Sequence, residues 1–428
     1  MEPFKIGIAG LGTVGAGVVK ILQQNADAVA ARAGRPIEII SVTAGNKNKD
    51  RGVDLSNYDW AETLDDMAKD DRLDCIVEAI GGSEGPVKDF VEKSLASAKH
   101  VVTANKALLA HHGYEFAKLA DDNNVGLAYE AAVAGGIPII KAIREGLAAN
   151  QFNSVYGILN GTCNYILTEM RETGRSFDDV LADAQKMGYA EADPTFDVDG
   201  IDAAHKLVLL GALAFGVRPD FDALKPTGVR NISIDDIHFA EEFGFRIKLI
   251  GSAKHHEGTY SQSLDPCFVP KSSAIGNVEG VFNAVLTDGD FVDQTMLQGR
   301  GAGEGPTASS IVADIIDFAR GNVVPAFTIP AEQLKEISWA TTSDQQSAYY
   351  LRIVVKDEAG ALSDVTAALK DHNISIDQVV QRSAQDGRSN IALITHLIDA
   401  QTVEKALDSV NSLGCILDKA TCLRVEDI

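Results

Sequence analysis

The sequence predicts an α/β protein in three parts: a parallel sheet flanked by helices, a larger α+β region, and a small β-α-β-β-α-β unit. Three observations predict this division. Apolar runs of strand length alternate with helical segments over residues 1–135, a glycine-rich turn joins the first strand to the first helix, and residues 348–428 contain short strands around two amphipathic helices. We therefore expect domains at 1–135, 136–320 and 348–428, with a linker at 321–347.

The composition is that of an ordinary globular protein. The chain has 428 residues, 45% of them hydrophobic, and a formal net charge of −23. Nucleic-acid binding needs clustered lysines and arginines, which this acidic chain lacks. No window is apolar for the length of a membrane span, so we expect a cytoplasmic location and no membrane contact. The five cysteines show no CxxC spacing, which favours structural thiols over a disulfide framework or a zinc site.

A dinucleotide-binding fingerprint opens the chain. Phe4–Ala9 is a predicted strand, a glycine-rich turn follows it, and an apolar helix continues to about Ala30. In a Rossmann fold Gly10 permits the tight turn, Gly12 lets backbone amides approach the pyrophosphate, and Gly15 lets the helix pack on the strand. A purely structural glycine turn is the alternative. The predicted cofactor contacts in this motif are Gly10, Gly12, Thr13, Val14 and Gly15.

The second strand bears on the choice between NAD and NADP. It is predicted at Pro36–Thr43 and ends without the carboxylate that usually holds the ribose hydroxyls of NAD. Lys47, Lys49 and Arg51 follow closely and could meet a 2′-phosphate, although a solvated basic loop explains them equally well. The sequence leaves the choice of cofactor open.

Two further predicted strands, Leu73–Ile80 and Lys99–Ala104, lead into polar loops. Ligands of parallel sheets bind at the carboxyl ends of the strands. We therefore expect Thr103 and Lys106 to line the nicotinamide half of the cofactor site. A strand-end lysine taken alone is more often a solvated side chain.

The segment 184–206 places many charges directly before an apolar helix. Asp199 is a good N-cap for that helix, and Asp202 and Lys206 share one of its faces at i, i+4. Because the helix is apolar almost all round beyond Lys206, it is predicted to be buried, and the pair would then face a cleft. An ordinary surface ion pair is the alternative interpretation of this spacing.

The same segment resembles the signature of homoserine dehydrogenases. The residues that carry the resemblance are Ala184, Gly188, Tyr189, Asp193, Pro194, Asp197, Gly200, Asp202 and Lys206. The resemblance implies an enzyme that interconverts L-homoserine and L-aspartate 4-semialdehyde with NAD or NADP, on the route to threonine and methionine. It also implies that the middle α+β domain binds substrate and forms a dimer.

Roles for individual residues follow from the resemblance. Asp202 would orient the reacting hydroxyl and Lys206 would exchange its proton, directly or through a water. A lysine acts as a base at neutral pH only when desolvation or another cation assists, and a neighbouring carboxylate opposes that. Gly303, in a second glycine-rich turn, would lie beside the dinucleotide. The implied substrate contacts are Lys106, Gly161, Thr162, Tyr189, Glu191 and Asp197, with Glu191 on the substrate ammonium.

A cation site is also implied. Small residues follow the predicted strand Val125–Tyr129 and free backbone carbonyls from regular pairing. By resemblance, the Glu130 carboxylate and the carbonyls of Val133, Gly135 and Ile137 would hold a monovalent cation, expected to be Na⁺, as a structural brace. The residues alone support only a glycine-rich hinge.

The order β-α-β-β-α-β over residues 348–428 predicts a ferredoxin-like fold and resembles an ACT domain. The turn Asp357–Leu362 and the segment Asn373–Ile376 match the places where such domains bind an amino acid between paired copies. We expect threonine as effector, a last edge strand at Cys422–Val425, and pairing of subunits into a homodimer or homotetramer. A domain that only assists assembly is the alternative.

Two rival functions differ from this interpretation. Another Rossmann amino-acid dehydrogenase would lack the pattern from Ala184 to Lys206. A catalytically silent NAD(P)-dependent amino-acid sensor would have no need of Glu191 or of the Asp202–Lys206 pair. The presence of all these residues favours an active homoserine dehydrogenase.

Overall fold

The computed structural model describes residues 2–256, 258–340, 346–383 and 386–428. Within them the strands form two sheets. The strands of the first sheet are β1 (Phe4–Ala9), β2 (Ile37–Thr43), β3 (Asp59–Trp60), β4 (Cys75–Glu78), β5 (His100–Thr103) and β6 (Leu127–Ala128). The strands of the second sheet are β7 (Phe152–Ile158), β8 (Phe245–His256), β9 (Thr259–Pro270), β10 (Phe282–Gly289), β11 (Asp293–Arg300), β12 (Gln346–Lys356), β13 (Ile376–Ser383), β14 (Arg388–Thr395), β15 (Ile398–Asp399) and β16 (Thr421–Val425).

The helices flank these sheets. Of those in the described residues, none is long and apolar enough to cross a membrane. Their bounds are α1 (Thr13–Gln24), α2 (Ala26–Ala33), α3 (Leu64–Ala68), α4 (Pro86–Ala96), α5 (Lys106–Asp122), α6 (Ile139–Lys141), α7 (Gly161–Thr173), α8 (Phe177–Lys186), α9 (Thr195–Val198), α10 (Ile201–Phe215), α11 (Ile234–Phe243), α12 (Glu304–Ala319), α13 (Ala361–Asp371) and α14 (Ala400–Asn411).

The first sheet confirms the predicted Rossmann architecture. Its strands are parallel and run in the order β3-β2-β1-β4-β5-β6, the doubly wound order of dinucleotide-binding folds. The helix expected to continue to Ala30 is divided at Asn25, which leaves the helical conformation. Its N–H closes α1 on the Ile21 carbonyl, and its own carbonyl accepts from Val29 in α2.

Helix α12 packs with the first sheet, although its residues lie within the predicted middle domain, 136–320. Ala308, Ile311 and Ile315 are buried in one apolar cluster with strand β1 and helix α1. Gly17 of α1 makes the close approach possible, because a Cβ there would lie 3.0 Å from the Cβ of Ala308. The second glycine-rich turn therefore returns the chain to the cofactor-binding domain.

The second sheet is mixed and carries the middle domain. Helices α7, α10 and α11 pack on one face of it. The opposite face holds a smaller apolar cluster that includes Tyr156, Ile250 and Leu286. After Pro138 the chain forms α6 and then a π-helical turn, Ala142–Gly146.

The C-terminal domain shares this sheet, which the sequence did not predict. Strand β16 pairs antiparallel with β12 of its own domain and parallel with β9 of the middle domain. The expectation of an edge strand at Cys422–Val425 is therefore wrong, and β13 forms that end of the sheet. The ferredoxin-like element order itself is as predicted.

The stretch expected to be a linker packs closely against the first two domains. Phe327 is fully buried, and the Tyr129 hydroxyl donates to the Ala326 carbonyl at 2.8 Å. Further on, the Tyr260 N–H donates to the Ser338 carbonyl at 2.8 Å. Residues 341–345 of the predicted linker lie outside the described residues, and strand β12 begins directly after them.

Candidate active site

The glycine turn after β1 has the geometry that the fingerprint requires. Gly10 has φ +92°, and a Cβ there would clash with the Ala79 carbonyl, while a Cβ on Gly15 would clash with the Gly10 carbonyl. Gly12 is the N-cap of α1, and a Cβ there would meet nothing within 4 Å. The exposed Thr13 and the partly buried Val14 form the first turn of α1, where backbone amides attract phosphate. The open side of the turn is therefore at Gly12.

The basic loop after β2 folds back toward this turn. Arg51 Nε donates to the Leu11 carbonyl at 3.1 Å, and the guanidinium also binds the carbonyl of Lys49 at 2.6 Å. Lys47 Nζ lies 5.4 Å from the Trp60 ring centroid, and Arg51 lies 5.9 Å from it. The structure thus brings Arg51 to the glycine turn, whereas the Lys47 side chain lies at Trp60 and Glu62 and the Lys49 side chain is exposed.

A buried glutamate that the sequence analysis missed organises the ends of β4 and β5. Glu78 is fully buried; its carboxylate accepts from Thr103 Oγ1 at 2.5 Å and from the Ile80 N–H at 2.7 Å. Thr103 in turn accepts from the Asn105 N–H at 3.0 Å, and Asn105 caps α5. The available signal was Glu78 itself, a carboxylate that directly follows the apolar residues Cys75–Val77 of the predicted strand. Thr103 therefore shapes the loop that leads to Lys106.

Helix α10 delivers Asp202 and Lys206 to a buried position between the two domains. Its N-cap is Gly200, at φ +85°, and not Asp199, which ends α9 and pairs with Arg230 at 2.5 Å. The expected capping role of Asp199 is therefore wrong. The turn needs a left-handed residue, which glycine adopts at little cost.

Asp202 is shared by two lysines from different domains. Its Oδ2 lies 2.6 Å from Lys206 Nζ, and its Oδ1 lies 3.1 Å from Nζ of Lys106, the first residue of α5. Asn160 Nδ2 donates to Asp202 Oδ2 at 3.0 Å and to Asp197 Oδ1 at 2.8 Å. Lys206 Nζ also donates to the Leu159 carbonyl at 2.8 Å. The pair is buried and does not form an ordinary surface ion pair.

The charges of this cluster are set by burial and by the lysines. Burial alone would raise the pKa of Asp202, but Lys206, Lys106 and the Asn160 amide together hold it below its usual value. Burial raises the pKa of the nearby Asp197 carboxyl. Asp202 is therefore the firmly ionised carboxylate between the two domains.

The predicted substrate contacts gather at the start of α7. Gly161 and Thr162 form its first turn, and Thr162 Oγ1 donates to the Tyr189 carbonyl at 2.7 Å. Tyr189 is 46% exposed. The exposed Glu191 carboxylate makes no hydrogen bond or ion pair with any described residue, so it is available to a ligand.

Three aromatic contacts beside the cluster were also missed. The Phe196 ring lies 5.7 Å from Lys106 Nζ and 5.7 Å from the His205 ring. His205 stacks on Phe221 at 4.2 Å, and burial lowers its pKa to about 4. A neutral imidazole therefore stands next to Lys206 in the helix. These contacts join α5, α9 and α10, which sequence spacing cannot reveal.

Gly303 lies in the turn that joins the second sheet to α12. It has φ +119° and is the N-cap of α12, whose first residue, Glu304, pairs with Lys20 of α1 at 3.2 Å. The turn also meets the glycines after Ala134: the Gly136 N–H donates to the Arg300 carbonyl at 3.1 Å. Gly303 is thus placed next to the helix that opens the cofactor fingerprint.

The residues expected to bind a cation are already hydrogen-bonded in part. The Glu130 carboxylate accepts from the N–H groups of Ile140 at 2.8 Å and Lys141 at 2.9 Å. The Gly135 carbonyl accepts from Ser310 Oγ at 2.7 Å, and the Ile137 carbonyl accepts from the Ile139 N–H. Carbonyl and carboxylate oxygens have further lone pairs, so this donor set still fits a hard monovalent cation.

The charge around Glu130 is unbalanced. Burial, and secondarily the buried Asp314 carboxylate, raise the pKa of Glu130 to about 7. Lys141 Nζ lies 3.1 Å from the Asp314 carboxylate and 2.5 Å from the Asp317 carboxylate, so one ammonium group pairs with two carboxylates. Across the described ranges, no three His, Cys, Asp or Glu side chains come together as a metal site.

A Rossmann sheet with an open glycine turn, joined to a second domain across a buried carboxylate and two lysines, defines a dinucleotide-dependent oxidoreductase. Comparison with family models agrees. Residues 10–130 match the model described as "Homoserine dehydrogenase, NAD binding domain", residues 138–316 match "Homoserine dehydrogenase", and residues 349–415 match "ACT domain".

Full-length relatives lead to the same family. The homoserine dehydrogenase of Pseudomonas aeruginosa is 44% identical over 100% of both chains. A crystal structure of the enzyme from Thiobacillus denitrificans is 42% identical, with a TM-score of 0.94 over 100% of this chain and 99% of that one. A hyperthermophilic archaeal homoserine dehydrogenase in complex with NADPH is 25% identical, with a TM-score of 0.62 over 74% of this chain and 97% of that one. The chain belongs to the homoserine dehydrogenase family and carries a C-terminal ACT domain.

The raised pKa of Glu130 predicts a pH-dependent stability. Between the unfolded value of 4.5 and the folded value of about 7 the folded state binds more protons, so stability falls as pH rises through this window. The free energy of unfolding of the wild type should fall by on the order of 3 kcal/mol over this pH window, and we expect Glu130→Gln to abolish that fall.

Thermal unfolding in sodium-free buffer from pH 5 to pH 8 would measure this. The exposed Glu332 provides a matched control as Glu332→Gln. An equal pH slope in wild type and Glu130→Gln would contradict the prediction.

Proposed function

We propose that this enzyme interconverts L-homoserine and L-aspartate 4-semialdehyde, on the route to threonine and methionine, with Lys206 as the proton-exchanging group. One observation carries this proposal: Asp202 lies between Lys106 of the cofactor domain and Lys206 of the middle domain. The cluster also lies close to the start of α7, where the expected substrate contacts gather.

The hydrogen bonds of Lys206 suggest how a proton would move. As an ammonium, Nζ has three protons and donates to Asp202 and to the Leu159 carbonyl. One proton remains for the oxygen of the semialdehyde in the reducing direction. In the oxidising direction the substrate hydroxyl would return a proton to Lys206 or to a water held by Lys206 and Asp202. Bound NAD(P) would supply or accept the hydride.

The amino-acid end of the substrate would be held at α7. The first-turn amides at Gly161 and Thr162 favour a carboxylate. The unpaired Glu191 carboxylate suits the substrate ammonium, with Tyr189 beside it. Lys106, already oriented by Asp202, would contact the substrate near the nicotinamide. Together these groups would align the reacting carbon with the cofactor.

We expect Lys206→Met to lower kcat by at least about 100-fold while leaving dinucleotide binding intact, because it removes the positioned proton donor and no cofactor contact. NAD(P)H absorbance with L-homoserine measures turnover, and fluorescence titration measures cofactor binding. The matched control is Lys186→Met, since Lys186 is an exposed lysine on α8. Near-normal turnover in Lys206→Met would remove Lys206 from the mechanism.

NADP is the proposed cofactor, with NAD as the less favoured one. Arg51 lies beside the glycine turn, β2 ends at Thr43 without a carboxylate, and a related archaeal enzyme was solved with NADPH. A guanidinium at this place suits a 2′-phosphate.

We therefore expect Arg51→Gln to reduce kcat/KM for NADP⁺ at least about tenfold with a much smaller change for NAD⁺. Lys49→Gln is the control, because its side chain is exposed in the same loop. A wild-type kcat/KM for NADP⁺ more than about tenfold below that for NAD⁺, or equal losses with both cofactors in Arg51→Gln, would contradict the assignment.

A structural cation and subunit pairing are part of the proposal. Na⁺ held by the Glu130 carboxylate and the carbonyls of Val133, Gly135 and Ile137 would favour the ionised carboxylate and relieve its repulsion with Asp314. A homodimer or homotetramer is supported by the hairpin before β11, an edge of the second sheet, because Phe291 there is 88% exposed.

Threonine is the proposed effector of the ACT domain. The turn Asp357–Leu362 directly follows β12, and Arg352 of the same strand binds Asp236 of α11 at 2.7 Å. Helix α11 packs against α7, which begins at the proposed substrate site. This continuous path could carry the coupling of about 1 to 3 kcal/mol that such regulation needs.

We expect threonine to inhibit the intact enzyme, and Gly360→Val to abolish the inhibition while leaving basal turnover unchanged. Gly360 caps α13 at φ +101°, a conformation that valine resists, so the variant distorts the effector turn. Gly34→Val, at φ +77° where α2 ends and outside the C-terminal domain, is the matched control. No change in rate up to millimolar threonine would leave the domain an assembly module.

Removal of residues after 342 would be a less clear test, because it strips β9 of its neighbour β16.

A further inference from the structure

A cavity of about 460 Å³ opens at the amino-terminal edge of the first sheet. It lies at the starts of β1, β4 and β5 and at the end of α12, so it is on the opposite edge from the glycine turn and from Lys106. Its volume is within the range of small-molecule sites. No residue that we place in the cofactor or substrate site lines it.

Two arginines give this cavity a positive character in a chain of net charge −23. The Arg35 guanidinium lies 4.8 Å from the Phe4 ring centroid, and its buried Nε has no hydrogen-bond partner in the described structure. Arg320 enters from the end of α12, with Nε donating to the Arg32 carbonyl at 2.7 Å. Among the described residues that line the cavity Asp74 is the one acid, and its carboxylate accepts from the Lys5 N–H at 2.7 Å.

A histidine adds a neutral donor to the same wall. His100 Nδ1 accepts from the Gly126 N–H at 2.8 Å, so Nε2 carries the ring proton. Burial lowers the pKa of His100, which keeps the ring neutral. Nε2 has no partner among the described residues. The ring stacks on Phe318 at 4.6 Å, which fixes its plane.

We propose that this cavity is a second ligand site, for a small organic anion with carboxylate or phosphate groups. Guanidinium groups bind both kinds of oxyanion through paired N–H donors, and both Arg35 and Arg320 line the cavity. The rings of Phe4 and Phe318 supply apolar walls for a carbon skeleton. A simple ion such as chloride would leave most of the volume empty.

One helix, α12, connects the cavity to the turn beside the cofactor fingerprint. α12 begins at the Gly303 turn and ends at Phe318 and Ala319 in the cavity wall, about 24 Å away for its 16 residues. A ligand in the cavity therefore touches the far end of the helix that packs on α1. Binding there does not depend on the proposed substrate or proton chemistry.

Titration calorimetry on the full-length chain tests the proposal. Citrate and pyrophosphate are the carboxylate and phosphate probes, each at constant ionic strength and with the dinucleotide site first filled with NADPH. We expect one saturable site per chain for at least one probe, and the better probe identifies the preferred oxyanion. Arg35→Gln and Arg320→Gln should each weaken that binding at least about tenfold.

Arg388→Gln is the matched control. Arg388 lies in the C-terminal domain and is 49% exposed, and its substitution removes the same single positive charge. It should bind the probe as wild type does. The Arg320 side chain is 48% exposed, so Arg320→Gln tests the site even if Arg35→Gln fails to fold. Absence of saturable binding with both probes, or equal weakening in Arg388→Gln, would overturn the proposal.

Discussion

The buried carboxylate of Asp202 is the interaction on which the arrangement of the two large domains depends. Removing an ionised carboxylate from water is costly, and here the cost is offset by Lys206 on the same helix, by Lys106 from the other domain and by the Asn160 amide. Loss of one partner from such a cluster typically costs about 3 to 5 kcal/mol, because a buried charge remains unpaired. The pairing therefore requires both domains to meet at one place, which is also where a cofactor and an amino acid would meet.

The chain path supports this meeting through glycines that permit close backbone contact. A Cβ on Gly135 would clash with the Gly301 carbonyl, and one on Gly136 would lie 2.7 Å from Pro306. The segment leaving the first domain thus lies against the segment that returns to it. Because α12 then packs on α1, these two connecting segments are held together in two ways: by the buried apolar surface between α12 and α1, and by the backbone contacts at the glycines. The cleft at Asp202 is consequently built on helices α5 and α10, which pack on each other and on the two sheets.

Local patterns predicted much of this, and contacts distant in sequence account for the remainder. The parallel order of the first sheet follows from alternating strands and helices, and the roles of Gly10 and Gly15 follow from the motif. The burial of Asp202 and Lys206 follows from the apolar helix around them. The pairing of β16 with β9 could not be predicted, because strand periodicity carries no information about a partner more than a hundred residues away. Glu78 was missed for a related reason, since its partner Thr103 lies on the neighbouring strand.

That unpredicted pairing changes how the C-terminal domain can act. Asp236 is fully buried, caps α11 through Ser233, and also accepts from Arg352 and from the Tyr350 hydroxyl at 3.0 Å. Tyr350 in turn stacks on Phe268 of β9 at 4.2 Å. A domain joined by a shared sheet, a buried ion pair and a stacked aromatic pair cannot swing freely on a tether. An effector bound there would have to act through small shifts of β12 and α11, and packed interfaces transmit such shifts because they switch between discrete arrangements.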